Sequence, residues 1–569
     1  MTKLEDLGEI VSTDLLIVGG GIAGLVAAIK AKEECPNIDV LLVDKQTVGW
    51  AGKAPKIGGA ITFVGPDDDV DKFVEFCVRS LGIYLNDQEL LERYARESYR
   101  SIEQITEWGV RLVRDAEGKI AIKKFPFARE LSGTGIDIDM MLPLRGKARK
   151  LGARALNKIQ VLRLLKKDEK VVGAVGFNIV DGRFYIFKAK ATILASGACS
   201  FKNRRFWCSA TGEGIAAAYW AGAEMRNAEF GNACSHIVFK ATDSASVPPK
   251  YIVNALGESI YDRYVHDEVP PGFIVPFSFI FGMEKEVKEG RGPLYADLSK
   301  IPQDSLVFKP PWWTTGLPKY VEWWSRLNEK EQKYWRATSP KREVEIPITC
   351  TISCVKVDHE MKTTLPGLWA IGETSHTGSV VGGARPCPFV GGFGIGWAVL
   401  SAMWAGPSAA RYASEADSPE VDYEQVKQLK EDIFSPLKRE KGVSPDDIVC
   451  ALRDVMCVTK YNLRRSEDRL KEALSKVENA RRRLTDLWAK DTHYLMKCHE
   501  ANAMTVCAEM VLRSALMRNE SRGFHYREDY PERDDKNWLK WITIKQVDGR
   551  MALSTEPIPI GRYRFKPEG

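Results

Sequence analysis

The stretch from residue 13 to residue 44 most constrains what this chain can fold into. An apolar run is followed by the glycines of GGGIAG, a helical stretch and a second apolar run that ends at Asp44. This order predicts a βαβ unit, with Gly19 in a tight turn, Gly21 where backbone N–H groups approach a pyrophosphate, and Gly24 where helix and strand pack closely. Asp44 is placed to accept hydrogen bonds from ribose hydroxyls. The unit therefore predicts a bound dinucleotide.

The length and the charge of the chain indicate a multidomain protein that does not bind nucleic acid. A chain of 569 residues is long enough for several domains, and its formal net charge of +6 is spread without a basic block. Such a distribution does not suggest a nucleic-acid partner, although it is compatible with steering of anionic substrates. The N-terminus lacks the charged-then-apolar order of a signal peptide, and no run reaches the ~18 apolar residues that a membrane helix needs. We therefore expect a cytoplasmic protein without a direct membrane span.

The 12 cysteines are scattered, and none forms the CxxC pairs that are typical of zinc or iron–sulfur sites. We expect reduced, mostly buried thiols and no metal site in this chain. If iron–sulfur clusters serve this protein, another chain carries them. The spacing leaves open whether Cys354 or Cys387 is reactive.

The rest of the chain alternates between strand and helix patterns. Residues 156–195 read as a β-meander that feeds a buried strand, TGEG opens a further helix, and LPGLWAIGE is a strand that ends in Gly-Glu. Pro, Trp and charged residues cluster between about 235 and 345, which indicates an inserted cap. From 423 to 518 the apolar residues recur at helical spacing, which predicts a helical bundle, and a polar loop with a hairpin follows it.

These pieces, in this order, resemble the succinate dehydrogenase/fumarate reductase flavoprotein family. The resemblance covers nearly the whole chain, through GGGIAG, ILASGA, TGEG, GRGPLYADL, LPGLWAIGE and SRGFHYREDYPERDDKNWLKW. The closing region and FYIFKAKATILASGA are most similar to the alpha subunit of adenylylsulfate reductase. The resemblance implies an α/β fold, in which a Rossmann-like FAD-binding domain carries an inserted α+β capping domain and a C-terminal helical bundle. The expected divisions are 1–234 and 348–415 for the two parts of the FAD-binding domain, 235–347 for the cap, 416–520 for the bundle and 521–569 for the tail.

The resemblance also implies FAD as the cofactor. The positions that match the family's FAD contacts are Gly19, Gly21, Gly24, Asp44, Lys45, Gly52, Gly58, Gly59, Val161, Gly197, Glu213, Gly372 and Glu373. Succinate dehydrogenases carry a histidine that bonds covalently to the flavin, and counting back from the glycine pair places Gly52 at that position. Glycine has no nucleophile, so we expect noncovalent FAD.

Four residues are candidates for the substrate site by the same resemblance. Arg291, in the GRG motif, matches the family's proton-donating arginine, and Arg385 falls near its substrate-carboxylate arginine. His376 and His236 are candidate hydrogen-bond donors at the same site. The family's dicarboxylate histidine is replaced by Thr349, which leaves the identity of the substrate open.

The favoured hypothesis is an FAD-dependent oxidoreductase that transfers two electrons between noncovalent FAD and a small anionic acceptor. Reduction of an activated C=C bond, as in fumarate reductase, is the favoured reaction, with electrons supplied by an iron–sulfur protein partner. One alternative is a subunit like the alpha chain of adenylylsulfate reductase, which acts at sulfur. The other is an electron-relay flavoprotein in a larger complex, without a substrate of its own.

Overall fold

A computed structural model provides the structure of the chain. It describes residues 3–57, 59–125, 128–137, 139–203, 210–234, 238–239, 249–266, 277–300, 326, 328, 330, 341–346, 348–375, 381–384 and 393–568.

The strands within these ranges are numbered in chain order. They are β1 (Glu9–Val18), β2 (Val40–Asp44), β3 (Gly59–Phe63), β4 (Lys123–Phe125), β5 (Ala128–Ile136), β6 (Arg154–Asn157), β7 (Ile159–Lys167), β8 (Lys170–Asn178), β9 (Phe184–Leu194), β10 (Met225–Arg226), β11 (Asn232–Cys234), β12 (Val238–Phe239), β13 (Ile252–Val253), β14 (Leu294–Asp297), β15 (Lys341–Glu345), β16 (Ile348–Cys350), β17 (Leu368–Ala370), β18 (Lys540–Val547) and β19 (Arg550–Pro557).

The α-helices are numbered in the same way. They are α1 (Ile22–Glu34), α2 (Ala54–Ile57), α3 (Val70–Phe76), α4 (Gln88–Glu107), α5 (Met141–Lys150), α6 (Glu213–Ala221), α7 (Ile260–Tyr264), α8 (Phe277–Lys288), α9 (Phe393–Glu415), α10 (Tyr423–Phe434), α11 (Pro445–Met456), α12 (Thr459–Asn462), α13 (Glu467–Arg482), α14 (Thr492–Met517) and α15 (Asp535–Trp538).

The central sheet has the strand order β6-β2-β1-β9-β8-β7, and β17 also pairs with β9. The strands β6, β2, β1, β9 and β17 run parallel, whereas β8 and β7 continue antiparallel from β9 as the predicted meander. Leu15, Leu16 and Ile17 of β1 are fully buried, since both faces of a parallel sheet are covered, and this explains the continuous apolar run. The carboxyl ends of β1, β2 and β9 meet at one edge, where a dinucleotide is expected to bind.

Helices cover this sheet, with α1 lying against α9. A Cβ atom placed on Gly406 of α9 would lie 2.7 Å from the backbone oxygen of Ala27 in α1, so the two helices approach at backbone distance. None of the helices in the described parts of the chain is both long and apolar enough to cross a bilayer.

Outside the sheet, the predicted cap and bundle segments form their own elements. The strand order β12-β15-β14-β13 forms a small antiparallel sheet within the residues expected to form the cap, and α7 and α8 share a buried apolar cluster with it. The helices α11, α13 and α14 pack on one another and form the bundle, whereas α10 contacts β7 of the central sheet. The hairpin β18–β19 pairs with β10, with Met225 opposite Ile544, so the tail is bonded to the segment that follows α6. The architecture is the predicted α/β fold, and the division into domains stays a prediction.

Candidate FAD and substrate sites

The glycine turn after β1 excludes side chains at two of its positions. Gly19 adopts a φ of +116°, and a Cβ atom there would lie 2.3 Å from the backbone oxygen of Ala195 at the end of β9. A Cβ atom on Gly24 would lie 1.9 Å from the backbone oxygen of Gly19. These contacts bring the start of α1 against the end of β1, so both glycines are required by packing before any ligand is considered.

Three other glycines face open space. The nearest atom to a Cβ placed on Gly21, the N-cap of α1, is the backbone oxygen of Ala51 at 4.0 Å. A Cβ on Gly197 meets no atom within 4 Å, and one on Gly52 meets only the Cα of Gly21, at 3.8 Å. The predicted cofactor glycines therefore line a space at the carboxyl edge of the sheet, where backbone can approach a ligand. The glycines and the amide groups of the α1 N-terminus fit a dinucleotide cofactor.

Asp44, at the end of β2, is already bonded to the glycine turn. One carboxylate oxygen accepts the N–H of Gly20 and the other accepts the N–H of Gln46, each at 2.6 Å. Burial raises the pKa of Asp44 above its ordinary value, although these two bonds oppose the shift. A carboxylate offers about four acceptor sites, so Asp44 can hold the turn and still accept from a ribose hydroxyl.

Lys45 lies at the centre of a buried charge network. Its ammonium group donates to the carboxylates of Glu213 and Glu500, both at 2.6 Å, and to the hydroxyl of Thr211 at 3.0 Å. Although burial acts to lower it, the two carboxylates raise the pKa of Lys45. Burial acts to raise the pKa of Glu213, but Lys45 outweighs it and lowers that pKa to about 2. Lys45 and Glu213 therefore form an ionised pair.

Glu500 was not predicted from the sequence. It lies on α14, 455 residues after Lys45, within a bundle that was expected to be structural. Its side chain is only 3% exposed, and a buried glutamate is rare unless it is paired. The helical pattern of α14 contains this buried acid, but no local signal identifies its partner.

The second FAD motif lies against the first. Gly372 follows β17 with a φ of +58°, its N–H donates to the hydroxyl of Ser401 at 3.0 Å, and a Cβ atom there would lie 3.2 Å from the Cβ of Ala23 in α1. The carboxylate of Glu373 binds the ammonium of Lys53 at 2.8 Å. The structure thus brings the loop after β2 and the loop after β17, which are far apart in sequence, to the same place.

Val161 and Gly59 are predicted FAD contacts that lie on strands β7 and β3. Val161 belongs to β7, where the register with β8 shifts between Val161 and Arg163. The neighbouring side chain of Gln160 donates to Glu213 at 3.0 Å, which connects β7 to the Lys45 network. Gly59 opens β3 and pairs with Ile136.

Arg291 is firmly held by carboxylates in the predicted cap. Its guanidinium binds the buried carboxylate of Glu286 through two nitrogens, Nε at 2.7 Å and Nη2 at 2.9 Å, and it also contacts Glu289. The bonds to Glu286 and Glu289 raise the pKa of Arg291. This direction keeps Arg291 cationic, which favours anion binding and opposes proton release.

Glu286 gathers further donors around this ion pair. Its side chain is fully buried and accepts from the hydroxyl of Tyr264 at 2.5 Å and from the amide of Asn254 at 2.7 Å. Arg291, as the main cause, lowers the pKa of Glu286 to about 2, and the bonds from Tyr264 and Asn254 act in the same direction. A bidentate arginine–carboxylate pair with additional donors restricts the orientation of Arg291.

Two segments that were compared with the family's substrate motifs lie side by side. The strands β11 and β16 pair antiparallel, with Ala233 opposite Thr349 and Asn232 opposite Cys350. The segment before β11 is held by buried arginines, since Arg465 donates to the backbone oxygen of Glu229 at 2.9 Å. Four of the predicted site residues lie outside the described residues: Gly58, His236, His376 and Arg385.

The fold and the glycine-lined space define an FAD-binding flavoprotein, and comparison with known families agrees. Residues 14–388 match the FAD binding domain family, and residues 451–569 match the family described as fumarate reductase flavoprotein C-term. The chain belongs to the FAD-binding flavoprotein family of the fumarate reductase/succinate dehydrogenase type. It is an FAD-dependent oxidoreductase, and FAD is its cofactor. The predicted family and cofactor are thus confirmed.

Similar proteins cover nearly the whole chain. An uncharacterised FAD-dependent oxidoreductase of Methanocaldococcus jannaschii is 28% identical over 94% of this chain and 96% of its own length. One of the subunits of the fumarate reductase (CoM/CoB) of Methanothermobacter marburgensis is 27% identical, over 97% of this chain and 100% of its own.

Among solved structures, E. coli quinol fumarate reductase has a TM-score of 0.82 at 20% identity, over 99% of both chains. Adenylylsulfate reductase of Archaeoglobus fulgidus has a TM-score of 0.76 at 21% identity, also over 99% of both. The solved structures share the fold.

Proposed function

We propose that the protein transfers two electrons between noncovalent FAD and a small anionic acceptor, by reduction of an activated C=C bond of the fumarate type. The observation that carries this proposal is the bidentate Arg291–Glu286 pair, which holds a permanent cation at the position matched to the family's catalytic arginine. Relatives that are named fumarate reductase, such as the one from Methanothermobacter marburgensis, support the choice of acceptor.

The proposed FAD contacts are the residues predicted from the sequence. FAD held here would, once reduced by the electron donor, supply the two electrons of the reaction as a hydride. Gly19, Gly21 and the N-terminus of α1 accommodate the pyrophosphate, and Asp44 accepts from the ribose. Gly52 carries no side chain that could bond to the ring, which supports noncovalent attachment.

Arg291 has two proposed tasks at the substrate. Its cationic guanidinium stabilises the negative charge that develops on the acceptor, and it donates a proton to the carbon opposite the one that receives the hydride. Because Glu286 and Glu289 raise its pKa, the first task suits its surroundings better, and the second requires a new proton from solvent after each turnover. Arg385 is proposed to bind the acceptor's carboxylate, and His376 and His236 are proposed as further donors.

Electrons are proposed to arrive from an iron–sulfur subunit in the cytoplasm. The 12 cysteines contain no CxxC pair, and several relatives are named as subunits rather than as complete enzymes. Such a partner would supply the electrons that a nicotinamide supplies in other flavoproteins.

The test is an anaerobic reoxidation experiment. The purified protein is reduced, and the return of the visible flavin absorbance is followed after addition of fumarate. Fast reoxidation by fumarate supports the proposal, whereas reoxidation by adenylylsulfate alone moves the reaction to sulfur. If fumarate, adenylylsulfate and related enoates all fail to reoxidise the flavin, the reductase assignment is overturned. The electron-relay role is then the remaining hypothesis.

Arg291→Gln tests whether the guanidinium of Arg291 is needed for reduction of the acceptor. We expect it to slow reoxidation by fumarate by about two orders of magnitude or more, as for the loss of an essential charge-stabilising donor. Lys288→Gln is the matched control, because Lys288 binds Glu284 rather than Glu286, at 2.9 Å, in the same part of the chain and is more exposed than Arg291. Equal rates for both variants would contradict the role of Arg291.

A further inference from the structure

Glu500 links the helical bundle to the proposed cofactor site through two lysines. One of its carboxylate oxygens binds Lys45 at 2.6 Å, and the other contacts the ammonium of Lys202. Lys45 directly follows Asp44 at the end of β2, and Lys202 lies in the loop that follows β9. A single buried carboxylate therefore ties together the two loops at the carboxyl edge of the sheet.

Both loops carry residues of the proposed FAD site. The loop after β2 contains Asp44, and the loop after β9 contains Gly197, whose backbone faces open space. A change in the position of either loop would alter the distance between these groups and a bound dinucleotide. Through its contacts with Lys45 and Lys202, Glu500 can fix the positions of both loops.

The loop after β9 also needs an external support. Phe201 and Lys202 both adopt positive φ angles, +52° and +48°, which side-chain-bearing residues rarely do. Arg453 of α11 donates to their two backbone oxygens, at 3.1 and 2.8 Å. The bundle thus contacts this loop twice, through the backbone by Arg453 and through the Lys202 side chain by Glu500.

Charge balance gives Glu500 a second effect. The carboxylate of Glu500 is shared by two lysines, Lys45 and Lys202, and Lys45 is bound by Glu213 as well. Loss of the Glu500 charge leaves Lys202 without this carboxylate and Lys45 with Glu213, in surroundings where an unpaired charge is costly. The two loops would then repel each other.

We propose that Glu500 is a positioning residue for the adenosine half of FAD, which acts through Lys45 and Lys202 on the loops that bind it. The C-terminal bundle thereby takes part in cofactor retention. This inference rests on the proposed FAD contacts of Lys45 and Asp44.

The test measures the release of FAD from the holoenzyme by the rise in free flavin fluorescence after dilution. We expect Glu500→Gln to speed release about tenfold, in line with the loss of one charge-assisted hydrogen bond. The midpoint potential of the flavin that remains bound should equal that of the wild type, because Glu500 acts at the adenosine half and not at the ring.

Glu509→Gln is the matched control. Glu509 lies on the same helix and is equally buried, but it pairs with Arg481 and Arg513 instead of Lys45. Its release rate should stay within twofold of the wild type. An equal increase in Glu509→Gln, or a shifted flavin potential in Glu500→Gln, would show a general effect on the helix and overturn the proposal.

A double-mutant cycle with Lys45→Met shows whether Glu500 acts through Lys45. We expect Lys45→Met alone to speed release, and Glu500→Gln to add little in the Lys45→Met background. If the two substitutions speed FAD release additively, the inference is overturned.

If Lys45→Met leaves the release rate unchanged, the proposed FAD contact of Lys45 is wrong. If Lys45→Met speeds release but Glu500→Gln does not, the inference about Glu500 is wrong and the proposed FAD contact of Lys45 stands. Should Glu500→Gln not accumulate as holoenzyme, Glu500→Asp, with its shorter reach, is measured against the same outcomes.

Discussion

Arg518 and Glu229 form an ion pair of 2.8 Å in which both side chains are fully excluded from solvent. Arg518 ends the long bundle helix α14, and Glu229 precedes β11, the strand that pairs with β16. The pair therefore connects the end of the bundle to the proposed substrate segment. Arg518 also binds Glu520 at 2.7 Å, and His525 donates to its backbone oxygen at 3.0 Å.

Arg518→Met should destabilise the protein by about 3–5 kcal/mol, because it leaves the buried carboxylate of Glu229 without its ion-pair partner, although Glu520 keeps its bonds to Arg522. The measurement is the shift of the denaturant midpoint, in saturating FAD, with the slope of the transition compared with the wild type. Arg411→Met is the control, since Arg411 pairs with Glu34 at the surface and should contribute only about 0–1 kcal/mol. A shift for Arg518→Met as small as that of the control would contradict this account of the buried pair.

Two substitutions in the glycine motif should affect different properties, FAD affinity in one variant and thermal stability in the other. Gly21→Ala should fold normally but lose FAD affinity by about tenfold or more, because the added methyl group enters the open space where a pyrophosphate approaches the backbone. Gly24→Ala should lower the unfolding temperature, because its methyl group would overlap the backbone oxygen of Gly19. FAD content and thermal unfolding are measured on both variants. Full FAD affinity in Gly21→Ala would place the pyrophosphate elsewhere.

Glu286→Gln should slow fumarate reduction by about tenfold or more, since a tenfold effect needs only about 1.4 kcal/mol and the substitution removes the charge that orients Arg291. FAD content should not change. Tyr264→Phe removes a neutral hydroxyl that donates to Glu286 and also interacts with Arg291, but it leaves the ion pair, so its effect should be smaller. Both variants are compared by steady-state kinetics and by flavin absorbance. A larger loss in Tyr264→Phe than in Glu286→Gln would refute the positioning of Arg291 by charge.

The stability of the protein should depend on pH through Glu213. Its pKa is lowered to about 2 from an ordinary value of 4.5, so between these values the native state binds fewer protons than the unfolded chain. The contribution, about 3 kcal/mol, is therefore complete above pH 4.5 and is lost as the pH falls toward 2. Unfolding midpoints measured across this range should depend less on pH in Glu213→Gln. Glu415→Gln is the control, because Glu415 is exposed. If the unfolding midpoint of Glu213→Gln depends on pH as steeply as that of the wild type, the prediction is contradicted.

Local elements could be predicted from the sequence because their causes are local. The turn at Gly19, the start of α6 after Thr211 and the meander that ends in β9 depend on steric limits and on hydrogen bonds between residues that are near in sequence. The same holds for the helices between 423 and 518 and for the terminal hairpin, whose patterns predicted them. The residue type at position 52 also favoured noncovalent FAD over a covalently bound flavin, since Gly52 has no side chain.

The pairing of buried charges could not be predicted in this way. Lys45 was predicted as a cofactor contact, but its partner Glu500 is 455 residues away, and Glu229 is 289 residues from Arg518. The buried thiols of Cys199, Cys354 and Cys507 likewise lie near one another although they belong to different elements.

The sequence by itself determined the βαβ unit, because glycine conformations and apolar periodicity act over a few residues, and its resemblance to the flavoprotein family indicated the family and FAD. Only the tertiary structure decided which charges meet: Lys45 with Glu500, Arg291 with Glu286 and Glu289, and Arg518 with Glu229. A buried charge must find a partner wherever the chain brings one, and the pattern around each residue contains no information about the distant element that will pack against it.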